Sequence, residues 1–159
     1  MTPGILAAKK AGVSFTVHEY DHDPSAPSFG MEAAEKLGVA PERVFKTLVV
    51  RLDGRELAVG VIPVNSMLSM KAAAKAAGAK KAEMAPQADV ERSTGYVLGG
   101  VSPLGQKKRL RTYIDVSAEE FETVFVSAGK RGLDMEIAPG DLAAVCGGSF
   151  APLQDRSGG

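Results

Sequence analysis

The chain has 159 residues, 45% of them hydrophobic and 24% charged, with 19 basic residues against 19 acidic ones and a single cysteine. Such a composition is globular and long enough to bury a real core. It excludes an internal disulfide, and its zero net charge argues against strong autonomous nucleic-acid binding, which normally shows as a basic excess. No signal peptide and no apolar run of membrane-spanning length is present, so the expected setting is the reducing cytosol, without a membrane partner.

Thr2 and Pro3 read as the cap and first turn of a helix that Gly12 ends. Residues 13–20 alternate as a strand, and a Pro-containing loop (23–28) leads to a helix from Phe29 to Leu37, stopped by Gly38. Residues 44–52 and 56–64 read as strands joined at Asp53-Gly54, a strong hairpin signal. An alanine-rich helix over 70–77 is closed by Gly78, and a short helix follows Pro86. Strands are expected at 96–98 and 108–114, on either side of a glycine loop. Ser117 and Glu120 resemble a capping box before a short helix. Residues 124–127 and 133–137 read as strands and 141–146 as a last helix. The expected class is α+β around a mixed sheet, in one domain over 1–155 with a flexible tail at 156–159.

The segment TGYVLGGVSPLGQKKRLR (94–111) combines the glycine pair Gly99-Gly100, a Gly-x-x-x-Pro-x-Gly spacing (Gly99, Pro103, Gly105) and a basic run. Glycine lets backbone groups approach a ligand and proline stiffens the loop. Lys107, Lys108, Arg109 and Arg111 suit an anionic partner, although a hairpin with a solvated basic strand accounts for the pattern equally well.

Lys46 stands out by periodicity. Alternation places it with Val44, Leu48 and Val50, opposite Phe45, Thr47, Val49 and Arg51. On that more apolar face an unpaired ammonium is costly, so it either snorkels to the sheet edge or lines a pocket that receives an anion or carbonyl. His18 and His22 are the only histidines and lie on a strand running into a loop, too few to hold zinc, so no metal is expected. Tyr20 can look into the same cleft as Lys46. Cys146 reads as a buried small apolar residue, Ser102 lacks a nucleophile-elbow context, and Asp134 lies on the face opposite Leu133, Met135 and Ile137, which reads as solvent-exposed. No side chain has the neighbours of an activated nucleophile, so an enzyme of this sequence would rely on reactivity in its substrate.

Taken together, HEYDHDP, VFKTLVV, RSTGYVLGGVSPLGQKKRL and SAGKRGLDMEI resemble the YbaK/EbsC family, free-standing relatives of the editing domain inserted in bacterial prolyl-tRNA synthetases. The resemblance implies a barrel-like mixed sheet flanked by helices. It implies hydrolysis of mischarged Cys-tRNA(Pro) without a cofactor, in partnership with tRNA(Pro) and the synthetase and without DNA. Lys46 matches the family's essential lysine, with the role of holding the terminal adenosine or its phosphate and orienting the ester. Tyr20, Phe29 and Thr47 match residues around the aminoacyl group, and Ser127 and Asp134 match further pocket positions, Asp134 toward the α-amino group. Gly99 is expected to present backbone groups to the substrate, together with Gly100, Ser102, Pro103 and Gly105 of its loop. In the Cys-specific branch the substrate thiol attacks its own ester. Another small aminoacyl-tRNA such as Ala-tRNA(Pro), or a non-catalytic synthetase-associated tRNA-binding module, are the alternatives.

Overall fold

A computed structural model describes residues 1–26 and 28–155. Pro27 of the expected 23–28 loop and the tail expected at 156–159 lie outside the described residues. Among the described residues five α-helices, two short 3-10 helices and eight strands follow one another. Helix α1 (Pro3–Ala11) is capped by Thr2, whose Oγ1 accepts from the Ile5 N–H at 3.2 Å, and it ends at Gly12 with a left-handed φ of 73°. Helices α2 (Phe29–Leu37) and α3 (Met70–Ala77) follow the same rule, with serine caps at Ser28 and Ser69 and left-handed Gly38 and Gly78. Helix α4 (Gln87–Thr94) follows Pro86, and α5 (Pro139–Cys146) begins two residues before the expected 141.

The strands form two sheets. β1 (Phe15–Glu19), β7 (Leu133–Ile137) and β6 (Val124–Lys130) make an antiparallel three-stranded sheet in the order β1-β7-β6. β2 (Phe45–Leu52) and β3 (Glu56–Pro63) form the expected hairpin, with Asp53 and Gly54 both at positive φ. With β4 (Ala82–Met84), β5 (Arg111–Asp115) and β8 (Gly148–Ala151) that hairpin makes a mixed sheet in the order β4-β2-β3-β5-β8, in which β5 is parallel to both of its neighbours. A parallel bridge from Val44 to Phe125 joins the two sheets. The barrel-like expectation reduces to this: among the described residues the sheets abut at one seam and do not close.

The structure departs from the sequence expectation at several places, among them the strand expected at 108–114, which begins only at Arg111. Residues 96–98 form no strand: Tyr96 is drawn inward, buried to 5% exposure, and its hydroxyl donates to the Leu104 carbonyl at 2.6 Å. The short 3-10 helix Val116–Glu120 is capped by Asp115, not by a Ser117–Glu120 box, since the Asp115 carboxylate accepts from the Ser117 N–H. Two short strands, β4 (Ala82–Met84) and β8 (Gly148–Ala151), carry too few residues for alternation to reveal them. β6 runs on past Ser127 to Lys130 through a register shift.

β2 contributes apolar side chains to both of its faces. Phe45 and Val49 enter the main core with Val59, Val61, Ile114 and Val126, while Val50 and Leu52 meet Ala73 and Ala74 of α3 in a second cluster. A third cluster packs Ala33 and Ala34 of α2 on Val44, Val64 and Phe125 at the seam. Helix α2 sits so close there that a Cβ on Gly30 would fall 2.4 Å from Val64 Cγ1. Gly30→Ala should therefore push α2 off the seam and lower Tm by several degrees, an overpacking cost of roughly 1–3 kcal/mol, measurable by thermal melting.

Candidate active site

Beside this seam lies an open cavity of about 320 Å³, within the range of small-ligand sites. Tyr20, Phe29, Lys46, Thr47, Gly99, Ser127 and Asp134 all line it, joined by Val101 and by Ala33 of α2. These seven come from β1's exit, α2, β2, the 98–99 turn, β6 and β7, so the structure gathers residues spread over more than a hundred positions of sequence.

Lys46 sits near the start of β2, on the face that farther along packs on α3. Its ammonium makes no ion pair or hydrogen bond among the described residues, and burial holds it below the ordinary lysine value. Of the two readings of its periodicity, the cavity-lining one matches. Next to it the Thr47 hydroxyl oxygen is buried with no hydrogen-bond partner, which native interiors tolerate rarely. A ligand in the cavity can pair with the Lys46 ammonium.

Asp134 lies in register with His18 on β1 and Ser127 on β6, so the three side chains share one face. That face was expected to be solvated. It is covered by α2 and the β1–α2 connection, and Asp134 is only 5% exposed. Burial pushes its carboxyl up to about 7, against the opposing pull of His18. Burial and the Asp134 charge together raise the Tyr20 hydroxyl to about 12, so it stays protonated and available as a donor. Lys46 and Asp134 line the same cavity without pairing with one another. The cavity thus offers a bare cation and a carboxylate poised to ionise, which suits a ligand carrying both an ammonium and an anionic or carbonyl group.

The turn that closes the site is held by an interaction that sequence alone does not reveal. Arg131 stacks its guanidinium 4.1 Å over the Phe29 ring and donates to the Leu98 carbonyl from Nε at 3.2 Å and Nη2 at 2.8 Å. Between them sits Gly99 with φ of 90°, where a Cβ would meet Arg131 Nε at 2.3 Å and the Phe29 ring at 2.9 Å. Gly99→Ala should expel the clamp and cut turnover about tenfold or more while costing roughly 1–3 kcal/mol of stability, testable by paired kinetics and melting. His22, whose ring centroid lies 5.7 Å from that of Phe29, meets Glu32 Oε1 through Nδ1 at 2.8 Å, and the Asp23 N–H donates to Glu32 Oε2 at 2.7 Å. Burial pushes the Glu32 carboxyl up, but these bonds and Lys36 hold it below the usual value, so the β1–α2 connection is pinned by a charged anchor.

The other expected residues of the glycine loop, Gly100, Ser102, Pro103 and Gly105, do not line the cavity. Gly100 packs on the Lys130 backbone, where a Cβ would sit 3.1 Å from Lys130 Cα. Ser102 is fully buried and its Oγ accepts from the Leu104 N–H. Gly105 lies against α1, where a Cβ would be 2.4 Å from the Pro3 carbonyl oxygen, and Pro103 lines a separate depression with Cys146. These residues serve close packing of the loop on the body. Cys146 is 9% exposed and burial raises its thiol to about 11, so it is the inert core residue expected. Among the described residues no group of three His, Cys, Asp or Glu is placed to hold a metal.

The family model of the aminoacyl-tRNA editing domain matches residues 23–145, which span every cavity-lining position except Tyr20. A protein of Enterococcus faecalis named "Putative Cys-tRNA(Pro)/Cys-tRNA(Cys) deacylase EbsC" is 42% identical over 139 residues, covering 87% of this chain and 85% of that one. The proline--tRNA ligase of Shouchella clausii is 31% identical over 110 residues, 69% of this chain but 19% of that much longer protein. Among solved structures, a "putative trans-editing enzyme for prolyl tRNA synthetase" superposes with a TM-score of 0.78 at 20% identity, over 98% of this chain and 99% of that chain.

Proposed function

Because the chain belongs to the aminoacyl-tRNA editing domain family, we propose that it is a deacylase that strips cysteine from mischarged Cys-tRNA(Pro) in trans. The observation that carries this reading is that Lys46 and the Asp134 carboxyl, neither of them ion-paired among the described residues, line one cavity together with Thr47. An aminoacyl ester brings an α-ammonium for the Asp134 carboxylate. Its 3′-terminal nucleotide brings an anion for Lys46, and its carbonyl takes hydrogen bonds from the wall between them. Gly99 in its clamped turn offers backbone groups to the same carbonyl, where negative charge develops.

The need for such a site is physical. Cysteine and alanine both fit a pocket shaped for proline, and small apolar differences give only roughly 1–3 kcal/mol of discrimination, so errors are corrected after charging. The cavity lining holds no activated protein nucleophile, and Cys146 lies elsewhere behind a raised pKa. The substrate supplies the nucleophile instead. Its sulfur bonds to the ester carbonyl carbon, the bond to the ribose oxygen breaks, and that oxygen takes up the proton the thiol gives up. The strained thiolactone is then opened by water to free cysteine. The protein's contribution is positioning and charge complementarity. Similarity to a segment of a proline--tRNA ligase supports prolyl-tRNA synthetase and tRNA(Pro) as partners, in the cytosol.

Masking the thiol tests this chemistry. S-methylcysteinyl-tRNA(Pro) keeps the ammonium and nearly the same shape but has no nucleophile, so it should be turned over at least about 100-fold more slowly than Cys-tRNA(Pro). Equal rates for the two esters contradict the thiol route. Activity on Cys-tRNA(Pro) should also survive a chelator.

A further inference from the structure

The basic run after the glycine loop takes no part in the cavity just described. It lies at the far end of the five-stranded sheet, where two shallow depressions share Arg55 of the β2–β3 hairpin. Together they are lined by seven basic side chains and only three acidic ones. All three acids are already occupied. Asp53 accepts from the Lys80 and Lys81 N–H groups, Glu56 grips Arg111 at 2.8 Å, and Glu83 meets Arg51 at 3.4 Å. Arg55, Lys80, Lys81, Lys108 and Arg109 are exposed and, among the described residues, have no acidic partner within ion-pair distance.

The chain as a whole is neutral. This concentration therefore reflects charge sorted to one end of the molecule, and self-repulsion among five free cations is a cost that an anionic partner relieves. The depressions are polar and shallow, with no aromatic side chain lining them, so they lack the features of a base-reading or small-molecule pocket. Phosphate oxygens spaced along a backbone fit a row of separated cations better than one compact anion does. Position adds to this. Arg51 follows Lys46 by five residues on β2, roughly 17 Å along the strand and on its opposite face, so a backbone of several nucleotides rounding the sheet spans from this surface to the cavity that takes the acylated end.

We propose that this surface, centred on Arg55, Lys80, Lys81 and Lys108, docks the phosphodiester backbone of the RNA whose acylated end enters the Lys46 cavity. The proposal rests on the deacylase reading for its choice of RNA. The docking is electrostatic and independent of sequence, and it supplies affinity without touching the ester.

The test is the quadruple variant Arg55→Gln, Lys80→Gln, Lys81→Gln, Lys108→Gln of the full chain, with folding checked by circular dichroism and melting. Two substrates are compared, full-length Cys-tRNA(Pro) and cysteinyl adenosine, together with direct binding of uncharged tRNA(Pro) by fluorescence anisotropy between about 50 and 200 mM salt. For full-length tRNA, kcat/KM at the lowest salt should fall at least about tenfold. The log–log salt slope of tRNA binding should flatten by about 0.7–0.9 for each phosphate that the variant no longer neutralises. Turnover of cysteinyl adenosine should be unchanged. An unaltered salt slope with unaltered kcat/KM on full-length tRNA overturns the proposal, as does an equal loss on both substrates. The anisotropy arm reads docking without turnover, so failure of the deacylase reading shows as inactivity on both esters of the wild type, whatever the binding result.

Discussion

Lys46→Ala is expected to abolish deacylation, lowering kcat/KM at least about 100-fold, the scale of removing one electrostatic group from a site where charge develops. It should do so without lowering Tm. The ammonium has no ion pair or hydrogen bond to lose among the described residues, and burial already depresses its pKa. The linkage sign follows from that direction. A lysine whose folded pKa lies below its unfolded value opposes folding while it is charged, and this opposition vanishes only above the unfolded pKa. At neutral pH, Lys46→Met should therefore match or exceed the wild-type Tm. Lys46→Arg keeps the charge but spreads it over a rigid planar fork, and should not restore turnover. A Lys46→Ala protein that retains wild-type rates, or that unfolds, removes the cavity from the mechanism.

Asp134→Asn carries the second large effect, with opposite signs for activity and stability. The Asp134 carboxyl titrates at about 7 in the fold, raised by burial from an ordinary value of 3.8. Between those two pH values the unfolded chain has given up the proton and the folded one keeps it, so stability falls as pH rises through this window. The asparagine variant lacks this cost. Its stability should equal that of the wild type below pH 3.8 and exceed it well above pH 7, by an amount on the order of a few kcal/mol. Activity should move the other way. If the carboxylate receives the substrate α-ammonium, kcat/KM on Cys-tRNA(Pro) should fall about 30-fold or more, as when one member of a desolvated charge pair is removed. N-acetylcysteinyl-tRNA(Pro), which has no ammonium, should be turned over equally by wild type and variant. A loss of the same size on the N-acetyl ester assigns Asp134 a structural role instead.

Local chemistry made much of this molecule readable from its sequence. Serine and threonine caps and left-handed glycines bound α1, α2 and α3 because both ends of those helices are decided by single residues. Asp53-Gly54 fixed the hairpin for the same reason, by positive φ at two adjacent positions. Lys46 was legible because a charge on an apolar face conflicts with alternation itself. What stayed hidden depends on residues far apart in the chain. The burial of Asp134 comes from α2, about a hundred positions earlier, covering the second face of β7. The clamp of Arg131 on Phe29 and Leu98 joins three separate segments, and no local pattern marks it. Tyr96–Leu98 alternates like a strand, but the hydrogen bond from Tyr96 to Leu104 turns it into a loop. Within the glycine motif, Gly99 faces the cavity while Gly105 is needed only for its close approach to Pro3, a distinction that spacing cannot make.

The most direct test of the central claim is single-turnover deacylation of Cys-tRNA(Pro), Ala-tRNA(Pro) and Ser-tRNA(Pro) by the wild-type protein under one set of conditions. Rapid loss of the cysteinyl ester, with the alanyl and seryl esters near their spontaneous rates, is the predicted result. Serine is the informative control, since it has nearly the shape of cysteine and a far poorer nucleophile. Comparable loss of all three esters, or of the alanyl ester alone, would contradict a reaction driven by the substrate thiol, and stability of all three would contradict deacylation itself.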